Sequence, residues 1–125
     1  MKVVVTEKAP KALGPYSQGY VHNGKFYSAG QIPINPETDA IEETTIEGQT
    51  EQVCKNLAAV LNAAGSSFNN VIKTTCFLAN MEDFAAFNEV YAKNFVSKPA
   101  RSCVAVKTLP KNVLCEIELI AVVEE

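Results

Sequence analysis

Four cysteines, one histidine and a small group of charges near the C-terminus carry most of the chemistry available to this chain of 125 residues. Cys54, Cys76, Cys103 and Cys115 lie far apart and form no CxxC pair, and His22 is the one histidine. A zinc site of the usual Cys/His type is therefore not expected. A Ser–His or Cys–His relay would need His22 as its base, and His22 sits beside an Asn-Gly turn signal, where a surface position is expected. The glycines between Gly14 and Gly24 fit neither the dinucleotide fingerprint nor the P-loop spacing. The last two apolar segments hold Arg101, Cys103, Glu116 and Glu118.

Those two segments, Arg101–Lys107 and Leu114–Val123, read as strands joined by a loop containing Pro110. Alternate residues of a strand share a face. Treated as a hairpin, the pair is expected to bury Val104 and Val106 together with Cys115, Ile117, Leu119, Ala121 and Val123. That register sends Arg101, Cys103, Glu116 and Glu118 to the opposite face, since a slip of one residue would expose both apolar sets. Two readings of that face follow. One is a solvated surface with cross-strand ion pairs, each contributing roughly 0.2–1 kcal/mol. The other is a subunit interface with a polar pocket set in it, favoured by Ala105, Ile120 and Val122 on the same face, because an apolar patch left in water is uncommon.

The rest of the chain must position these residues. Val3 to Val5 is a short β-branched run, and Ala9 to Pro15 a rigid loop with two prolines and a glycine. Gln18–His22 and Lys25–Ala29 flank Asn23-Gly24, which predicts a hairpin closed by a type I′ turn. Thr44-x-x-Glu47 predicts a capping box opening a helix whose apolar residues are Ile46, Val53, Leu57, Val60, Leu61 and Ala64, with Gly65 as its stop. Val71–Leu78 predicts a strand. Asn80 is the expected N-cap of a second helix with Phe84, Phe87, Tyr91 and Phe95 as its apolar stripe, closed by Pro99. The order predicts an α+β domain over residues 1–125: one mixed β-sheet with two helices on one face.

Composition limits the partners. Apolar residues make up 47% and charged residues 20% of the chain, an ordinary globular mix that excludes disorder. The net charge of −3 comes without any basic block, so no nucleic acid is expected as main partner. No apolar run approaches the ~20 residues of a membrane span, and the N-terminus shows no signal-peptide pattern. Free thiols fit a cytoplasmic protein, with an organelle as the other option.

Several blocks occur in a telling order: Gly14-Pro15-Tyr16-Ser17-Gln18, Ala29-Gly30-Gln31-Ile32-Pro33, Lys73-Thr74-Thr75-Cys76-Phe77-Leu78, Asp83-Phe84-Ala85-Ala86-Phe87-Asn88, Pro99-Ala100-Arg101-Ser102-Cys103-Val104, Leu109-Pro110-Lys111 and Glu116-Ile117-Glu118. Over essentially the whole chain the sequence resembles the Rid (YjgF-type) family, the reactive intermediate deaminases. The resemblance implies a chorismate-mutase-like fold and a homotrimer whose sheets line a central barrel, with ligand sites between subunits. It implies hydrolysis of 2-imino acids, such as 2-iminobutanoate and 2-iminopropanoate, and of their enamine tautomers to 2-oxo acids and ammonia. No cofactor and no metal are implied. It also leaves a second reading, a small-molecule-binding regulator or chaperone-like protein of the same fold, and behind that a ribonuclease or translation inhibitor, against which the net charge counts.

By the resemblance, Arg101 is the substrate-binding arginine, whose guanidinium grips a carboxylate with two prongs. Cys103 is implied to assist through its backbone N–H, and Glu116 to hold and polarise the attacking water. Tyr16 and Asn88 are implied to line the same pocket. Taken without the resemblance, Tyr16 is an ordinary packed loop tyrosine, Asn88 a solvent-facing helix residue and Cys103 a small buried hydrophobe. The sequence departs from the family pattern twice. Ala29 stands where many relatives have serine, with Ser28 one position earlier, and the stretch between Phe95 and Pro99 is short.

Overall fold

Asn23 and Gly24 both take positive φ, 51° and 74°, and so close the expected type I′ turn between strands β2 (Gly19–His22) and β3 (Lys25–Ser28). An N-terminal strand, β1 (Lys2–Val4), pairs antiparallel with β2. The structure, a computed structural model, describes residues 1–123, so the last two residues of the domain expected over 1–125 lie outside the described ones.

Helix α1 (Ile46–Ala64) follows the predicted stripe, burying Ile46, Val53, Leu57, Val60 and Leu61. Its cap is displaced by one residue from the expected box. Thr45, not Thr44, is the N-cap, and its hydroxyl accepts from the Gly48 N–H at 3.0 Å. Thr45 holds the extended conformation (φ −102°, ψ 157°) that an N-cap requires. Gly65 ends the helix in the left-handed region, φ 80°, as expected. Strand β4 (Val71–Leu78) leads to a 3₁₀ turn over Met81–Asp83, where Asn80 Oδ1 accepts from Glu82 N–H at 2.9 Å. Helix α2 (Phe84–Asn94) runs directly on from that turn, followed by β5 (Ala100–Ala105) and β6 (Cys115–Val122).

The six strands form one mixed sheet in the order β1-β2-β3-β6-β4-β5. Both helices cover one face, and the core lies between them and the sheet around Phe26, Val53, Leu57, Cys76, Leu78, Phe87, Ile117 and Leu119. Three of the four cysteines, Cys54, Cys76 and Cys115, are buried in it, and His22 is exposed as expected.

The last two strands overturn one expectation. β5 and β6 are not a hairpin: β4 lies between them, antiparallel to β6 and parallel to β5. α2 is the crossover that makes β4 and β5 parallel. Registered neighbours share a face, so Arg101 opposite Thr74 and Cys103 opposite Cys76 lie on the helix-covered side. Glu116 opposite Phe77 and Glu118 opposite Thr75 lie on the other. β6 presents the face expected of it, and β5 the reverse. Val104 therefore replaces Ala105 on the helix-free face, where it joins Val3, Tyr20, Tyr27, Ile120 and Val122. Val104 is 45% and Tyr27 43% exposed, so the face keeps the apolar character expected of it.

Candidate active site

Arg101 rises from the edge strand β5 against the inner side of α2. Its Nη1 donates to Asn88 Oδ1 at 2.8 Å. The guanidinium carbon lies 4.7 Å from the Tyr91 ring centre and 5.4 Å from that of Phe84. Stacking on two rings restrains a side chain that otherwise has many rotamers, and leaves most of its N–H donors unused. Tyr91 is itself fixed. Its hydroxyl shares a 2.7 Å hydrogen bond with Thr74, and its ring stacks on Phe95 at 4.2 Å. Asn88 is thus half-buried and turned to Arg101 instead of facing solvent. A cleft of about 490 Å3 opens here, lined by Asn88, Tyr91, Phe95, Lys98 and Arg101.

Cys103 lies two residues further along the same strand. Val106 N–H donates to Leu78 O at 2.9 Å, so the even-numbered amides of β5 point at β4. By alternation the Cys103 N–H points away from β4, at the free edge of the sheet, on the strand that carries Arg101. Burial pushes the Cys103 thiol above its ordinary value, with Arg101 opposing the shift. Burial likewise raises Cys76 and Cys115 to about 12. None of these thiols is poised as a nucleophile.

Glu116, Tyr16 and Ala29 meet in a second cleft of about 360 Å3, with Leu13, Ile32 and Lys111. Its floor is made where β3 leaves the ladder of β6. Pairing runs to Tyr27 opposite Ile120; then the Ser28 hydroxyl, not a backbone carbonyl, accepts from Leu119 N–H at 2.9 Å. The strands meet again at Gln31 opposite Ile117. Ser28 to Gly30 thus bulge over β6, and the displaced serine is occupied in holding the bulge. Asn56 of α1 anchors the chain beyond it by donating to Ile32 O and Ile34 O at 3.1 and 2.9 Å. The buried Gln18 secures the loop before Tyr16 by donating to Pro10 O at 2.8 Å and accepting from Thr6 N–H at 2.7 Å. Burial, and after it the neighbouring Glu118, raise the Glu116 carboxyl above the usual carboxylate range.

The six expected residues therefore form two groups in one chain: Arg101, Asn88 and Cys103 at the β5 edge, and Glu116, Tyr16 and Ala29 at the bulge. The expected convergence of Arg101 and Glu116 on one face does not occur within a chain, because β5 registers with β4 and not with β6. Tyr91 and Phe84, which hold Arg101, were legible only as core positions in a helical stripe. Gln18 was visible only as the end of a motif block and Asn56 carries no motif, since both bond to backbone groups. Among the described residues, no three His, Cys, Asp or Glu side chains gather as a metal site, and no helix is long and apolar enough to cross a membrane.

A mixed sheet with both helices on one face and these motifs define a member of a known class. The family described as Endoribonuclease L-PSP matches residues 6–123, and the chain belongs to this family, the Rid or YjgF proteins. A Lactococcus lactis protein bearing the name of a regulator, AldR, is 56% identical over 125 residues, covering 99% of each chain. The 2-iminobutanoate/2-iminopropanoate deaminase of Salmonella typhimurium is 42% identical over 125 residues, covering 97% of each. Among solved structures, E. coli TdcF with bound serine is 41% identical and superposes with a TM-score of 0.94, over 99% of this chain and all of that one.

Proposed function

We propose that the protein is a hydrolytic deaminase of 2-imino acids, acting on 2-iminobutanoate, 2-iminopropanoate and their enamine tautomers, and that each site is built from two chains of a homotrimer. The observation that carries this reading is the chemistry of the two half-sites. One is a guanidinium held in place with donors to spare, next to a free backbone N–H. The other is a half-buried carboxylate of raised proton affinity in a mostly apolar cleft. Their separation on opposite faces calls for a second subunit to bring them together, and the apolar helix-free face supplies a surface for it. The 42% identity to a named deaminase and the amino acid bound to TdcF support the same class of ligand.

In this reading Arg101 and the Cys103 N–H fix the substrate carboxylate, which orients the C=N carbon. Glu116 of the neighbouring chain accepts a hydrogen bond from water and takes its proton as the oxygen attacks, general-base help of typically ~10²–10⁴-fold. Collapse of the carbinolamine expels ammonia and leaves the 2-oxo acid. Water is the only co-reactant, and no histidine is required because the substrate nitrogen is itself basic.

The name of the Lactococcus lactis relative favours a second reading, a regulator that binds a small molecule without turning it over. Glu116 separates the two, since a pure binder has no use for a carboxylate at the ligand's reactive carbon. The test is release of 2-oxobutanoate and ammonia from iminobutanoate generated in situ by a threonine dehydratase, with and without the protein. Acceleration is expected; an unchanged rate together with binding of 2-oxobutanoate would establish the regulator instead.

A further inference from the structure

Glu116 owes its place to a neighbour that has no side chain. A methyl group built on Gly30 would collide with the Glu116 carboxylate, overlapping Oε2 and coming within 2.8 Å of Cδ and 3.1 Å of Cγ. The backbone of Gly30 is not in the left-handed region that only glycine favours. Space, not conformational freedom, is what the position demands. The bulge fixes this contact from both ends, through Ser28 Oγ on Leu119 N–H and the paired amides of Gln31 and Ile117. Gly30 therefore cannot retreat from Glu116 without breaking the ladder, whereas the carboxylate can swing away.

We infer that Gly30 is a positioning residue: its missing side chain is the seat on which the Glu116 carboxylate lies, and any side chain there turns that carboxylate out of the cleft into water. This rests on Glu116 acting as the base, and it adds the group that puts the base in reach. The seat also shapes the acid strength of Glu116. Burial is the larger cause of its raised proton affinity and Glu118 the smaller, and the contact with Gly30 is part of that burial. Of the other groups around it, Lys111 and Tyr16 share the cleft, and Phe77 and Thr75 on β4 carry no charge.

The test is Gly30→Ala, compared with Gly30→Ala/Glu116→Asp and with Glu116→Asp alone. The Glu116 carboxyl is titrated by NMR in the parent and in the alanine variant, and deaminase rates are measured in all four chains. Gly30→Ala should fold and assemble as the parent does, because the colliding atoms are the end of a flexible side chain. Its Glu116 should titrate at lower pH, and its kcat should fall at least about tenfold, with 2-oxobutanoate binding unchanged within about twofold. On the alanine background the shorter aspartate relieves the overlap at Oε2 and Cδ, leaving the tighter approach at Cγ, and should raise kcat, whereas on the glycine background it lowers it. An unchanged Glu116 titration in Gly30→Ala, or an aspartate that helps on neither background, overturns the inference. A lowered Glu116 titration in Gly30→Ala, with a parent chain that shows no deaminase activity, would leave the seat standing and remove the deaminase reading instead.

Discussion

Arg101 and Glu116 stand on opposite faces of one sheet, Arg101 registered beside Thr74 under the helices and Glu116 beside Phe77 on the open side. A guanidinium and a carboxylate so placed cannot act on one small molecule within a single chain. In the proposed reading these are two half-sites, and activity is tied to how copies assemble.

Mixed assemblies test this directly. Arg101→Lys and Glu116→Gln chains should each be nearly inactive alone. Refolded together in equal amounts, they should regain activity, because roughly a quarter of the sites in a random trimer then combine an intact arginine with an intact glutamate. Steady-state rates before and after mixing give the result; no recovery would place both residues in one chain's site.

The open face should be the surface through which copies meet. Tyr27→Lys puts a charge between Tyr20 and Ile120 on that face, and sedimentation should show the trimer reduced to monomers with activity lost. A monomeric parent at micromolar concentration would refute the shared site as well.

Arg101→Lys retains the charge and loses the two-pronged grip. Loss of a charge-assisted hydrogen bond costs on the order of 1.5–3 kcal/mol, about 10–150-fold in kcat/KM. Because Tyr91 and Phe84 hold the guanidinium in place, 2-oxobutanoate affinity should fall with the rate. A lysine chain as active as the parent would make Arg101 structural.

Glu116→Gln should separate binding from turnover. The amide keeps the size and one acceptor but removes the base, so the rate should drop at least about tenfold, while 2-oxobutanoate binds as well as before or slightly tighter. Stability should change in a defined direction. A carboxyl with raised proton affinity in the folded state binds its proton more tightly than in the unfolded chain. Its contribution is therefore most favourable at low pH and declines as pH rises from the ordinary glutamate value through the raised one. The glutamine chain should melt higher at neutral pH, and this advantage should vanish below the ordinary glutamate value.

The same shift sets the acid limb of the rate. Protonated Glu116 cannot take a proton from water, so kcat/KM should begin to fall, on acidification, at higher pH than an ordinary glutamate would dictate. Burial is the main cause and Glu118 the lesser. Glu118→Gln should therefore move the limb to lower pH, and by less than Gly30→Ala moves it.

Side-chain pattern determined the two helices and the strands, but not the 3₁₀ turn that takes the cap of Asn80 ahead of α2. The Asn23-Gly24 turn, the stripe from Ile46 to Leu61, the stop at Gly65 and the alternation of β6 are local, because each is a matter of periodicity or of backbone conformation within a few residues. The motif residues carried the family and the identity of the candidate site. Which face Arg101 takes was not legible. β5 has an alanine, a serine and a valine on one face and an arginine, a cysteine and an alanine on the other, so its own alternation does not choose. The choice fell to its neighbour: α2 carries the chain over to the far side of β4, and register with Thr74 and Cys76 turns Arg101 and Cys103 inward. The seat of Glu116 was hidden for a similar reason. Gly30 and Glu116 lie far apart in the chain, and only the bulge that Ser28 closes on Leu119 brings them into contact.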